Sequence, residues 1–346
     1  MFRLLLIAWS LAAVSFAQSF TVGTAAAAPG ATATGYLEIP AGADPATRIP
    51  VAVIHGVSPG PVLALICGAH GTEYASIIAM EKLIQTLDAR QVRGAVIVLP
   101  LINTASFEQK VPHLNPVDGK NMNRFYPGRA DGTQTERAAY AITRQVIERA
   151  DYAVDYHGGD LDESLRPYAY WSKTGRAEQD AASKRMALAF GLDHIIIVTD
   201  RPTDPAASRY ADTTASTRGK PAIAVEAGHA GTTEPEDVDA LLDGTLNVMR
   251  ELKMLPGEAS PIQNPVWIDH LSTVTSEQPG IFYPLVQRGN YVQQGMTIGY
   301  VTDYFGKKIF EARAPESGVA LYVCAVPSMT KGGTIASIGH VAAAAP

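Results

Sequence analysis

Five runs of strand length, apolar at nearly every position, recur along the chain: PVLALICG (61–68), AVIVLPLIN (95–103), ADYAVDYH (150–157), HIIIVT (194–199) and PAIAVEAG (221–228). Unbroken apolarity of this kind suits strands covered on both faces of a sheet. Between the runs the period lengthens to that of a helix. Residues 73–88 place Ile77, Met80, Leu83, Ile84 and Leu87 on one stripe, and 133–150 and 234–255 carry the same 3.6-residue spacing. Thr133 or Thr135 can cap the second helix, and the acidic first turn of the third complements the helix dipole. Such alternation predicts an α/β fold, a sheet flanked by helices.

The texture changes around PGEASPIQNP (256–265). From there the pattern is short alternating segments broken by Gly and Pro, which predicts a smaller all-β domain over 262–346 after an α/β domain over 36–256. Its spacing is similar to the barrel-sandwich fold of biotinyl and lipoyl carriers. Lys307 and Lys308 lack the neighbours a carrier lysine needs, so this part reads as structural or substrate-shaping.

At the other end, Arg3 precedes an apolar run from Leu4 to Ala17, with small residues Ser15 and Ala17 closing it. This predicts a signal peptide over residues 1–17 and an exported protein, periplasmic or secreted, with no membrane attachment after cleavage. Retention as an anchor is the alternative, though the run is short for a bilayer. Residues 18–35, rich in Ala, Gly and Thr, read as a flexible leader.

The 346 residues are 47% hydrophobic and 18% charged, enough for one large core and a smaller one. A net charge of −6 without any basic run argues against a nucleic-acid partner. The only cysteines are Cys67, inside an apolar run, and Cys324, and the two are read as unpaired.

The stretch LICGAHGTEYAS (65–76) carries the first chemistry. His70 and Glu73 stand three apart where a buried strand meets a helix, outside a strand's carboxyl end, where ligands gather in open sheets. Hydrolytic zinc sites take three His or carboxylate ligands, two of them close in sequence, and keep a fourth position for water. His157, closing another apolar run before Gly158 and Gly159, fits the third place, with Asp160 a weaker competitor. Asp155, two residues earlier on the same strand face, can orient a ligand from behind. Glu226 is a lone carboxylate at the end of an apolar strand, which is costly to bury unless it works there. Near a zinc it can take a proton from water and deliver it to a leaving amine. Asn123 and Arg124, in DGKNMNRFYPG (118–128), together suit a substrate carboxylate.

These pieces, with GTQTERAA, VDYHGG, TLNVMRELKML and the tail GNYVQQGMTIGYVTDYFGKKIFEARAPESGV, resemble the succinylglutamate desuccinylase/aspartoacylase family in both content and order. The resemblance covers nearly everything from residue 36. It implies a zinc-carboxypeptidase-like mixed α/β sheet with a C-terminal β domain, and one zinc per chain on His70, Glu73 and His157. It implies Glu226 as general base and acid, and Asn123 with Arg124 holding a carboxylate. Where relatives carry an arginine suited to polarising the scissile carbonyl, this chain has His113, so either His113 does a weaker version of that job or another residue does it. Arg166, near His157 in sequence, is a further candidate for substrate contact. The expected activity is deacylation of a small carboxylate-bearing N-acyl amino acid. A metallocarboxypeptidase acting on peptides or cell-wall fragments is the alternative, and a non-catalytic small-acid-binding protein the reading from another class.

Overall fold

The computed structural model describes residues 18–346, and the apolar runs form the middle of its main sheet. A hairpin of β1 (Phe20–Val22) and β2 (Ala25–Ala27) precedes β3 (Ala31–Ile39), β4 (Thr47–His55) and β5 (Ser58–Cys67). Helix α1 (Tyr74–Thr86) leads to β6 (Arg93–Leu99), and α2 (Thr104–Gln109) and α3 (Gln134–Gln145) lead to β7 (Tyr152–His157). There follow β8 (Glu163–Ser172), α4 (Ala177–Phe190), β9 (His194–Val198), α5 (Ala211–Thr217), β10 (Ala222–His229) and α6 (Pro235–Glu251). Every later named element is a strand: β11 (Val266–Thr275), β12 (Gly280–Pro284), β13 (Tyr291–Val292) and β14 (Thr297–Thr302). The last four are β15 (Lys308–Arg313), β16 (Gly318–Cys324), β17 (Ser328–Met329) and β18 (Thr334–Val341).

The sheet has twelve strands in the order β13-β16-β18-β11-β9-β8-β10-β7-β5-β6-β4-β3. Its centre, β10-β7-β5-β6, is parallel. Successive residues there enter opposite cores, as strand alternation requires. Leu63, Leu65, Val96 and Val98 join one cluster with α1, α4 and α6, whereas Ala64, Ile66, Ile97 and Leu99 join another with α3 and α5. Both faces are covered, which is why these runs show no polar alternation. On α1, Met80 and Leu83 are wholly buried at the expected spacing, each worth about 1.5–3 kcal/mol of burial.

One expectation needs correction. The segment 18–35 is no flexible leader: it forms β1, β2 and the start of β3, with Val22, Ala25 and Ala27 at most 1% exposed. Its Ala and Thr residues alternate with period two, and backbone pairing plus small buried methyls hold it against the second core. The C-terminal strands divide between two sheets: β11, β13, β16 and β18 extend the main sheet, and β12, β14, β15 and β17 form one of their own. β11 adds in parallel to β9 and β16 pairs with β8, so β8, β9, β11, β18 and β16 close into a ring. The four-stranded sheet β15-β14-β12-β17 packs on this edge through a core that includes Phe282, Ile298, Val301, Ile335 and Ile338. Cys67 and Cys324 are both free and buried. Among the described residues no helix is long and apolar enough to cross a membrane; the expected signal peptide, residues 1–17, lies outside the described residues.

Candidate active site

The carboxyl ends of β5, β7 and β10 open side by side into a cavity of about 720 Å³, a volume in the range of small-molecule pockets. β5 ends at Cys67, and Gly68, at φ +74°, turns the chain so that Ala69 and His70 leave the sheet. Glu73 is the N-cap of α1, yet its side chain makes no capping hydrogen bond. A carboxylate at that position normally satisfies the helix's free N–H groups. Here it turns instead between two imidazoles: Oε1 lies 2.6 Å from His70 Nδ1 and Oε2 3.1 Å from His157 Nδ1.

His157 arrives from β7, where it stands directly opposite Glu226 of β10 in the parallel register. The chain then leaves through Gly158 and Gly159, and a Cβ on Gly159 would sit 2.5 Å from Gly228. Only glycine lets this loop lie against the end of β10. Asp155, on the same face as His157, reaches its Nε2 at 3.4 Å, and neither carboxylate oxygen has a hydrogen-bond partner although the residue is 1% exposed. Asn123 Nδ2 lies 2.8 Å from the same His157 nitrogen.

Electrostatics follow from this crowding. Burial alone would raise the Glu73 carboxyl, but the His70 and His157 charges outweigh it and hold it at about 2. Burial would lower His157, and Asp155 and Glu73 instead push it well above its usual value. Glu226, half-buried, is pushed well above the usual carboxylate range by desolvation, opposed by His157 and reinforced by Glu73, Glu163 and Asp155. A carboxyl so placed stays protonated more readily than an exposed one, the condition for giving as well as taking a proton near neutrality.

The donor set suits a metal. Ligand atoms of His70, Glu73 and His157 all lie within 4.8 Å of one another. Two imidazole nitrogens and a carboxylate oxygen are the ligand types of hydrolytic zinc centres. The orphaned Asp155 oxygens behind His157 supply the carboxylate that usually receives the second N–H of a metal-bound imidazole. A second group, His70, His113 and Asp160, also converges. Asp160, however, already accepts from the Thr72 hydroxyl, His113 N at 3.0 Å and Leu161 N at 2.7 Å. Its lone pairs fasten the loop, which makes it the poorer ligand.

Four of the remaining expected residues fare differently. Asn123 and Arg124 line the cavity, Asn123 buried and Arg124 exposed, with its guanidinium 4.8 Å from the Tyr210 ring centre. His113 lines it too, its ring edge-on to His70 at 5.9 Å. Both its ring nitrogens are engaged, Nε2 to Asp162 at 2.9 Å and Nδ1 to Asp160 at 3.2 Å. Burial would lower its pKa, but the Asp162 bond and the charges of Glu163 and Asp160 bring it up to about 9. It therefore presents a positive charge beside His70, though no free N–H. Arg166 is not among the residues that line the cavity, and its guanidinium pairs with Asp193.

Sequence reading missed Asp162, Glu163, Tyr168, Tyr170, Arg201 and Tyr210, all of which line the cavity. Arg201 stacks on Tyr210 at 4.0 Å, and its buried Nε has no hydrogen-bond partner. The period-two spacing of Tyr168 and Tyr170 was a usable strand signal. Nothing local marks Arg201.

The succinylglutamate desuccinylase/aspartoacylase catalytic domain matches residues 59–252. The chain is 32% identical over 317 residues to N-alpha-acetyl-L-2,4-diaminobutyric acid deacetylase of Halomonas elongata, covering 89% of this chain and 91% of the relative. The chain belongs to the succinylglutamate desuccinylase/aspartoacylase family. The product-bound ectoine utilization protein EutE (DoeB) from Ruegeria pomeroyi superposes with a TM-score of 0.80 at 26% identity, over 89% of this chain and 95% of that one. A succinylglutamate desuccinylase from Silicibacter sp. TM1040 gives 0.81 at 27% identity, over 90% and 95%. The mixed α/β fold with a strand-rich C-terminal region is thus that of the family. Its deacylase relatives support an enzyme that acts on amide bonds.

Proposed function

We propose that the protein is a zinc-dependent N-acyl amino acid deacylase, with a zinc-carboxypeptidase-like centre. The observation that carries this is the convergence of His70, Glu73 and His157 beside Glu226 in a family of deacylases. A zinc ion held by those three residues would supply a Lewis acid for the amide carbonyl and acidify bound water.

The chain's own residues do the rest. Glu226 as carboxylate takes a proton from the attacking water and returns it to the amide nitrogen as the C–N bond breaks, so acid and free amine leave and the carboxylate is restored. His113 sets a positive charge beside the reacting carbonyl, a softer counterpart of an arginine. Asp155 receives the His157 Nε2 proton and fixes the ring with Nδ1 turned to Glu73. Arg124, with Arg201 across the Tyr210 ring, holds the substrate carboxylate, and Asn123 adds an amide donor.

The cavity lining also includes Asp162 and Glu163. A substrate carrying both a carboxylate and a side-chain amine meets both signs of charge, and the acyl diamino acid of the Halomonas relative has both. Residues 1–17 motivate a further proposal, export to the periplasm or medium. Western blotting of cell fractions tests it, and retention of the full-length chain in the cytoplasm contradicts it.

Hydrolysis is tested by supplying N-acetyl amino acids and short unblocked peptides side by side. Release of acetate with a free amino acid supports the deacylase. Release of C-terminal residues from peptides, without acetate, supports the carboxypeptidase. Binding of either without turnover, with zinc present, supports the non-catalytic reading.

A further inference from the structure

A second cluster of metal-ligand side chains lies on the C-terminal strands. In the β11–β18 register His270 stands directly opposite His340, and such pairs have Cβ atoms about 4.5–5.5 Å apart. Their rings stack at 4.7 Å with planes 22° apart. Both Nδ1 atoms aim at one carboxylate oxygen, Asp269 Oδ1, at 2.7 Å from His270 and 2.8 Å from His340. All three ligand atoms fall within 4.8 Å of one another.

The outer contacts are also built. Glu316 Oε2 lies 2.7 Å from His270 Nε2, and its other oxygen accepts from the Ser272 hydroxyl. A metal-bound imidazole commonly gives its second N–H to a carboxylate, which fixes the tautomer and ring orientation. With an ion bound, Glu316 would accept the His270 Nε2 proton in a hydrogen bond and leave the Nδ1 lone pair to the metal. The cluster is also separate from the cavity. Leu271, Thr273 and Ser337 line that cavity, and alternation turns the intervening His270 and His340 to the other face of the pair.

We infer that Asp269, His270 and His340 form a peripheral site for a divalent transition metal, with Glu316 holding His270 in its ligating tautomer. Two imidazoles and one carboxylate suit zinc, nickel or copper and discriminate against magnesium and calcium, which prefer oxygen. An ion there bridges β11 to β18 behind the strands that wall the pocket, and touches no substrate.

The test is equilibrium dialysis of the full chain against zinc, with metal measured per chain. The parent binds one equivalent more than the His270→Gln/His340→Gln double variant, whereas His70→Ala keeps the peripheral equivalent. Amide hydrolysis is unchanged in the double variant. These residues are at or near the surface, and circular dichroism verifies folding. Glu316→Gln leaves all three ligands in place and weakens the peripheral equivalent at least tenfold, which simple loss of a hydrogen-bonded surface network does not require. Equal zinc content in parent and double variant, or calcium competing as well as nickel, overturns the inference.

Discussion

Glu163→Gln separates the electrostatics of this pocket from its catalysis. Glu163 opens β8 at the cavity wall, where burial and then the Glu73 charge raise its pKa from 4.5 to about 7 against the pull of His113. The folded chain therefore binds a proton that the unfolded chain lacks between those two values. Stability from this group is fully present below 4.5 and lost as pH rises through 7. The gap corresponds to about 3 kcal/mol, and about 2 after allowing for the group's remaining solvent contact. Glutamine does not ionise, and its carbonyl can still accept from Asp160 N, as Glu163 Oε2 does at 3.2 Å. The metal-free variant and parent are unfolded in urea at pH 5 and pH 8.5, where they share every titration that the Glu163 charge does not reach; His113 and Glu226, which it does, are followed separately by NMR. The variant gains about 2 kcal/mol on the parent between the two pH values. A difference that stays constant with pH, or moves toward the parent, refutes the assignment.

Other consequences follow from individual side chains. Glu226→Gln keeps zinc but lowers kcat by about 10²–10⁴-fold, read from steady-state hydrolysis of an N-acetyl amino acid. Arg124→Met, on an exposed residue, raises KM about tenfold or more with a smaller change in kcat; equal losses in both would place Arg124 at the reacting centre instead. Deleting residues 18–27 removes β1 and β2 from the second core and lowers the urea midpoint by several tenths molar or more, whereas a flexible leader would leave it unchanged.

The central strands and the long helices were legible because burial on both faces leaves an unmistakable apolar signature, as in 61–68 and 95–103. The candidate site was legible for a related reason: His70, His157 and Glu226 stand at or just past the ends of such runs. β8 was hidden by its pocket-facing polar residues and by Pro167, which disguise a strand lying between β9 and β10. The β1–β3 segment was misread because small alternating Ala and Thr look compositionally like linker, although period two was present. Arg166 shows the limit of proximity in sequence. The strand ladder shifts register beside it, so closeness to His157 along the chain said nothing about the pocket. Contacts such as Arg201 on Tyr210 depend on the path of a loop and have no local sequence signal. The ring that ties β16 to β8 likewise joins residues far apart in the chain.

The account rests on His70, Glu73 and His157 holding the ion that hydrolysis requires. The direct measurement is zinc per chain and deacylation rate in parent and His70→Ala, purified identically without chelator. The account predicts that the variant carries one equivalent fewer and has lost the activity, with the fold unchanged by circular dichroism. Equal zinc in the two proteins, or full activity in a variant that has lost the equivalent, would contradict it.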